Sequence, residues 1–297
     1  MKAFTKRRME GEVVLITGAT RGIGRGVARE VAATGTTLIV VGRSHERTVE
    51  LVSELHNIGG AGPIHGEVCD LTLQSEVRSL ADRFLTEHGR LDVLINNAGA
   101  IFSQRQLTSE GFERTWALNH NAYFLLTALL RNVLLESSPA RIVNTASDAH
   151  YVGSMCWDDL QLARNKYWWG WRSYSQSKLA NVLFTRQLAY LLSGSKVTVN
   201  AVHPGFVNTG FGRNNGLLAK TMMVLSLPMQ RESSKGSETV VWAAISEEAK
   251  GITGEYLYDC KPRKPSKRAM DMDTASRLWD ISEGMTAPQD SGDCHNC

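Results

Sequence analysis

From residue 12 onward, short β-branched apolar runs alternate with segments of helical spacing, and this alternation limits the chain to few folds. Residues 12–17 (EVVLIT) read as a buried strand. Residues 22–34 then follow helical spacing, with Ile23, Val27 and Val31 four apart. The same reading gives strands at 37–41, 66–69, 91–96 (LDVLIN), 141–145, 197–202 and 255–258. Helices are expected at 44–58, 73–87, 110–136, 173–193 and 234–246, the third stopped by Pro139. Strands joined through helices are βαβ units. Right-handed crossovers make of them an α/β, doubly wound, mostly parallel seven-stranded sheet with helices on both faces.

No repeat or shift in composition divides the chain, so one domain over residues 1–297 is expected. Its core should span about 11–260, with 261–297 a partly disordered extension holding one helix at 274–281. Two segments depart from the pattern. Residues 151–172 carry Trp157, Tyr167, Trp168, Trp169 and Trp171, and residues 208–231 turn from loop-like to apolar. With 33 basic and 30 acidic residues the net charge is only +3, which argues against a nucleic-acid partner. The apolar run at 221–227 is far too short for a membrane span, and the basic start lacks the apolar stretch of a signal peptide. The odd set Cys69, Cys156, Cys260, Cys294 and Cys297 fits a reduced, cytoplasmic setting, with at most a peripheral touch on a membrane. Cys294 and Cys297 form a CxxC without a second pair, so a loose tail is expected there and no metal site.

Gly18, Thr20, Arg21, Gly22, Ile23 and Gly24 lie between the first strand and the first helix. Glycines serve where a backbone turns sharply and a pyrophosphate meets main-chain N–H groups. A helix N-terminus adds unpaired donors and partial positive charge. The context is that of a dinucleotide site rather than a plain tight turn. The second strand runs into Arg43, where an NAD enzyme usually has an acid for the ribose hydroxyls. A guanidinium there suits the 2′-phosphate of NADP, so the expected cofactor is NADP(H). The alternative for either arginine is a solvated surface charge.

The spacing GxxxGxG resembles the short-chain dehydrogenase/reductase family. Further matches are Asn96-Asn97-Ala98-Gly99, Tyr174-Ser175-Gln176-Ser177-Lys178, and His203-Pro204-Gly205 with Val207 and Thr209. They occur in the family's order between residues 12 and 259. The resemblance implies a Rossmann-type fold. It also implies cofactor contacts from Asp70 and Leu71, from Asn97, Ala98 and Gly99, from Tyr174 and Lys178, and from Pro204, Gly205, Val207 and Thr209. Arg21 would join Arg43 at the 2′-phosphate. For Asp70, a helix N-cap is an equal explanation.

Tyr174 and Lys178 are four apart on a helix and share a face. A free tyrosine has a pKa near ~10, and an adjacent ammonium with an oxidised nicotinamide favours its phenolate. Tyr174 then suits acid–base exchange with a carbonyl oxygen. Ser147, at the carboxyl end of the fifth strand, can donate to the same oxygen. It lies 27 residues before Tyr174 where 13 is common in the family, and Ser154 is the competitor. Asn119 matches the family's asparagine, which holds a water linked to the lysine. The alternative is a side chain bonding a helix carbonyl. His120 and His203 read as structural.

Within the family the chain resembles the retinol dehydrogenase-like branch. The matching stretches are Ala149-His150, Ser177 through Phe184, the HPG run, and Leu278-Trp279. It differs at Asn121-Ala122-Tyr123, where a Gly and His-Phe are common. The branch implies a lipophilic carbonyl or alcohol substrate of retinoid, steroid or aldehyde type. A homodimer or homotetramer is the expected assembly. A non-catalytic NADP(H) sensor and a nucleotide-sugar epimerase or dehydratase are the alternatives. The first usually lacks the tyrosine or lysine, and NNAG with GxxxGxG speaks against the second.

Overall fold

The computed structural model describes residues 4–205 and 233–288. Val207, Thr209, Cys294, Cys297 and the apolar run at 221–227 lie outside them. Strands β1 (Val13–Thr17), β2 (Thr37–Gly42), β3 (Ile64–Val68), β4 (Val93–Asn96), β5 (Arg141–Thr145), β6 (Thr198–Val202) and β7 (Tyr256–Tyr258) pair in parallel. The order is β3-β2-β1-β4-β5-β6-β7-β8, so the chain reverses its direction of travel between β1 and β4. That reversal opens a crevice at the strands' carboxyl ends, where open α/β sheets bind ligands.

One correction concerns strand number. β8 (Lys261–Pro262) pairs antiparallel with β7, making eight strands where the sequence predicts seven. Two residues ending in a proline carry no period, and the proline sits at the sheet edge as its missing N–H requires.

Successive strand residues feed opposite layers. Val14 and Ile16 pack with Val27 and Val31 of α1 (Gly22–Ala32) and with Leu51 and Leu55 of α2 (His45–His56). Leu15, Leu94 and Ile142 face the other way. They pack with Leu80 and Phe84 of α3 (Gln74–Glu87) and with Phe184 on the far side of the sheet.

The helix expected at 110–136 is broken. It starts as α4 (Arg114–Trp116), passes through a π-turn at Ala117–Asn121, and continues as α5 (Ala122–Leu129) and α6 (Arg131–Glu136). The start is displaced because the Glu113 carboxylate, fully buried, caps Thr115 N and Trp116 N at 2.7 and 2.9 Å. α7 (Trp171–Leu191) crosses the same layer and is buried along most of its length. α8 (Ser233–Ile245) covers the opposite face. The extension is folded at least through α9 (Met272–Thr286), longer than the expected 274–281. Trp279 of α9 lies edge-on to Phe124 at 4.9 Å and stacks on Phe184 at 6.0 Å.

Candidate active site

The glycine turn is held by residues of β4's end. Asn97 Nδ2 donates to the carbonyls of Thr17 and Gly18 at 3.1 and 3.3 Å, and Asn97 N and Ala98 N donate to Thr17 Oγ1. Gly18 has φ +67°, and a Cβ there would lie 2.6 Å from Ala98 Cα. A Cβ on Gly24 would meet Gly18 O at 2.2 Å. Both positions demand glycine.

At α1's start Arg21 occupies the N-cap position without a side-chain cap bond, and no acid stands in the first turn. Among the described residues its first N–H groups thus have no side-chain acceptor of the usual kind. Arg21 and Arg43 are both exposed there. The turn abuts the end of β2: Ala19 N donates to Val41 O at 3.2 Å, and a Cβ on Gly42 would sit 2.5 Å from Thr20 Cγ2. A pyrophosphate with a flanking phosphate fits this donor set. Asp70 heads no helix. Its Oδ1 accepts from Thr72 N and Thr72 Oγ1 at 3.0 and 2.8 Å, shaping the turn after β3, while α3's N-cap position is Leu73. Leu71 is buried beside it.

Across the crevice, α7 brings Tyr174 and Lys178 to the end of β5. The Ser147 hydroxyl lies close enough to the Tyr174 phenol to favour its ionisation, and it accepts from Ala149 N at 3.2 Å. Ser154 is exposed beyond the turn. Lys178 Nζ donates to Thr145 O at 2.9 Å and is buried, which pushes its pKa down to about 7. Burial also pushes Tyr174 up to about 12, with the nearby Ser147 hydroxyl acting against it. The sequence suggests a lowered tyrosine instead. In the chain's own electrostatics desolvation is the largest influence on the phenol.

Asn119 sits in the π-turn, a distortion common at functional sites. Its side chain grips the Ala100 peptide from both sides, accepting from Ala100 N and donating to Ala100 O, each at 3.0 Å. It donates to Ser177 Oγ as well. Its partner is therefore the loop after β4 and not a helix carbonyl. A Cβ on Gly99 would lie 3.3 Å from Asn119 Oδ1 and 3.5 Å from Lys178 Nζ, so NNAG, Asn119 and Lys178 meet. Pro204 is buried after β6, and Gly205 has φ +83°. His120 is buried, donates to or accepts from Ser282 Oγ at 2.8 Å, and is pushed down to about 4 by burial. It stays neutral and structural.

Two residues escaped the sequence reading. Tyr123 is buried with its ring centre 5.7 Å from Lys178 Nζ, the same distance as the Tyr174 ring. Both phenol rings are thus within cation–π reach of the ammonium. Tyr123 was visible only as part of the departure at Asn121-Ala122-Tyr123. Glu113 also accepts from Tyr167 Oη at 2.8 Å and from Ser173 Oγ, tying the aromatic segment to the start of α7. No sequence spacing marks that contact.

A family model described as short chain dehydrogenase matches residues 12–159 and 162–217. Retinol dehydrogenase 12 of Mus musculus is 39% identical over 278 residues, covering 94% of this chain and 87% of that protein. The fold matches that of an uncharacterized protein from Mycobacterium Paratuberculosis with TM-score 0.76, 31% identity and 95% of each chain covered. A short-chain dehydrogenase from Burkholderia cenocepacia, solved in complex with NADP, matches with TM-score 0.68 and 27% identity over 84% of this chain and 97% of its own. The chain belongs to the short-chain dehydrogenase family, in its retinol dehydrogenase-like branch, and is an alcohol/carbonyl oxidoreductase.

Proposed function

We propose that the protein is an NADP(H)-dependent oxidoreductase acting on a lipophilic carbonyl or the corresponding alcohol. The observation that carries the reading is the Tyr174 phenol beside Ser147, with Lys178 one turn away on α7 and 3.5 Å from the Cβ position of Gly99, in the loop that holds the glycine turn. When bound, a nicotinamide supplies the hydride, and its oxidised ring the positive charge that favours a phenolate. In reduction Tyr174 gives its proton to the substrate oxygen as that oxygen becomes negative; in oxidation it takes the proton back. Ser147 donates to the same oxygen and so stabilises the developing charge. Lys178, held at Thr145 O with both phenol rings 5.7 Å away, would hydrogen-bond the nicotinamide ribose. Asn119 keeps the Ala100 loop in register with α7 through Ser177.

Arg43 and Arg21, exposed on either side of the Thr20–Gly42 contact, support NADP over NAD. The NADP complex of the Burkholderia cenocepacia enzyme is in keeping with that choice. The aromatic segment before α7 supports an apolar substrate. Trp168, Trp169 and Gly170 have φ of 47°, 50° and 82°, and a Cβ on Gly170 would strike Phe102 O at 2.1 Å. Non-glycine residues held there cost roughly 1–3 kcal/mol each, and such strain gathers at ligand sites. The result holds Trp168 and Trp169 58% and 81% exposed, while the Trp171 ring centre lies 5.8 Å from that of Tyr174. Leu217, Leu218, Met222 and Met223, expected at the same mouth, lie outside the described residues. Reduction of a panel of carbonyls with NADPH, and NADH in parallel, tests the reading. Large apolar aldehydes and ketones should be preferred with NADPH. Equal kcat/KM for small polar ketones would reject the substrate class, and equal use of NADH would reject the cofactor.

A further inference from the structure

Ser147 lies at a junction that neither the glycine turn nor α7 explains. The 3-10 turn Asp148–Tyr151 follows it directly, and β7 with the segment after it is stitched onto that region. Tyr256 Oη donates to Asp148 Oδ1 at 2.8 Å, and Arg263 Nη1 reaches both Asp148 oxygens at 3.2 Å. Tyr151 Oη donates to Lys264 O at 2.6 Å, and Arg268 Nη1 to Gly153 O at 2.8 Å. At the centre is His150, fully buried. Its Nδ1 is 2.7 Å from the carbonyl oxygen of Ser147, and its Nε2 is 3.1 Å from the backbone N of Ser266.

The partners decide the tautomer. A carbonyl oxygen only accepts, so Nδ1 carries the proton. A backbone N–H only donates, so Nε2 is bare. A neutral imidazole satisfies both bonds, and an imidazolium turns Nε2 into a second donor facing the Ser266 N–H.

We propose that His150 is a positioning residue for Ser147: it anchors the serine's own peptide to the segment after β8 and thereby aims the hydroxyl at Tyr174. The inference rests on the catalytic role read for Ser147. The rings of Tyr151 and Tyr256 enclose the imidazole at 4.1 and 4.6 Å. Asp148 and Arg263 are the charged groups facing it, and His203 lies beyond, 3.4 Å from Asp148. Burial, with Arg263 on the same side, holds His150 below the ordinary histidine range against the pull of Asp148 and the Ser147 bond. The neutral form therefore prevails at neutral pH, and the anchor breaks as pH falls through that lowered value.

A double-mutant cycle tests this directly. Purified protein carrying Ser147→Ala, His150→Phe or both is compared with the parent for kcat, KM, NADPH affinity and the pH profile of kcat. His150→Phe keeps the ring stack and removes both bonds. It should lower kcat by roughly 10–100-fold, the scale of a small misplacement at a reacting group. NADPH affinity should stay within about twofold, since no cofactor contact is touched. In the Ser147→Ala background the same change should cost less than about twofold, because the group being aimed is gone. His150→Asn keeps a donor for the Ser147 carbonyl and cannot titrate. It should recover part of kcat and lose the acid limb that the parent shows. Should His150→Phe not fold, His150→Asn and His150→Gln carry the cycle instead. Full multiplication of the two losses, or the same acid limb with and without the imidazole, would overturn the proposal. Near-native turnover of Ser147→Ala would instead remove the serine's role, and the positioning role with it.

Discussion

Arg43 is exposed at the end of β2, one residue past a glycine whose Cβ position Thr20 already fills. Its backbone follows directly on β2, and among the described residues no acid pairs with its guanidinium, so charge reversal should act on the ligand alone. A hydrogen bond to a charged group contributes roughly 1.5–3 kcal/mol. Arg43→Asp should therefore weaken NADPH by about 10–100-fold while leaving NADH within a fewfold, as read by fluorescence titration. Equal losses for both would reject the assignment. Lys178 offers a second test at the same scale. Burial lowers it from 10.5 to about 7, so between those values the unfolded chain binds more protons at this site than the folded one. Stability should then rise with pH across that window. Thermal unfolding without added cofactor, from pH 7 to 9, should show the parent gaining Tm over Lys178→Met. Parallel curves would contradict the lowered lysine.

The elements differ in how plainly the sequence announces them. Parallel strands buried on both faces read as continuous apolar runs, and β1, β4 and β5 appear nearly at their predicted bounds. Tyr174 and Lys178 share a face because four residues make about one helical turn, so their meeting was legible. Ser147 was legible as a strand end, while its closeness to Tyr174 was not, because 26 intervening residues hide it. The π-turn at Asn119 was invisible for a similar reason. It is held by the Ala100 loop, about twenty residues away in sequence, and local spacing in 110–136 carries no trace of it. Glu113 is the same case. Its buried carboxylate joins α4, Tyr167 and Ser173, contacts separated by 54 and 60 residues. Glu113→Ala should cost about 3 kcal/mol or more in urea unfolding, since several donors lose a charged acceptor at once. Glu113→Gln should cost less. A neutral outcome for the alanine variant would deny the carboxylate its structural role.

At the scale of the molecule, the site is where three parts of one sheet converge: the turn after β1, the loop after β4 and the end of β5. The extension belongs to this arrangement. α9 places Leu278, buried, in the cluster that backs α7, and Trp279 against Phe124 and Phe184. Leu278→Ala should destabilise by roughly 2–5 kcal/mol, the range for truncating a buried leucine, read as a lowered urea midpoint. A change under about 0.5 kcal/mol, as at a surface site, would place α9 outside the cooperative fold.

The central claim is that hydride delivery is paired with a proton from Tyr174. Tyr174→Phe keeps the ring against Trp171 and removes only the hydroxyl. Single-turnover oxidation of bound NADPH by a long-chain aldehyde, followed by absorbance, reads the chemical step directly. The rate should fall by roughly 10²–10⁴ while NADPH affinity stays nearly unchanged. Near-native hydride transfer by the Tyr174→Phe enzyme would contradict the account, because another group would then be supplying the proton.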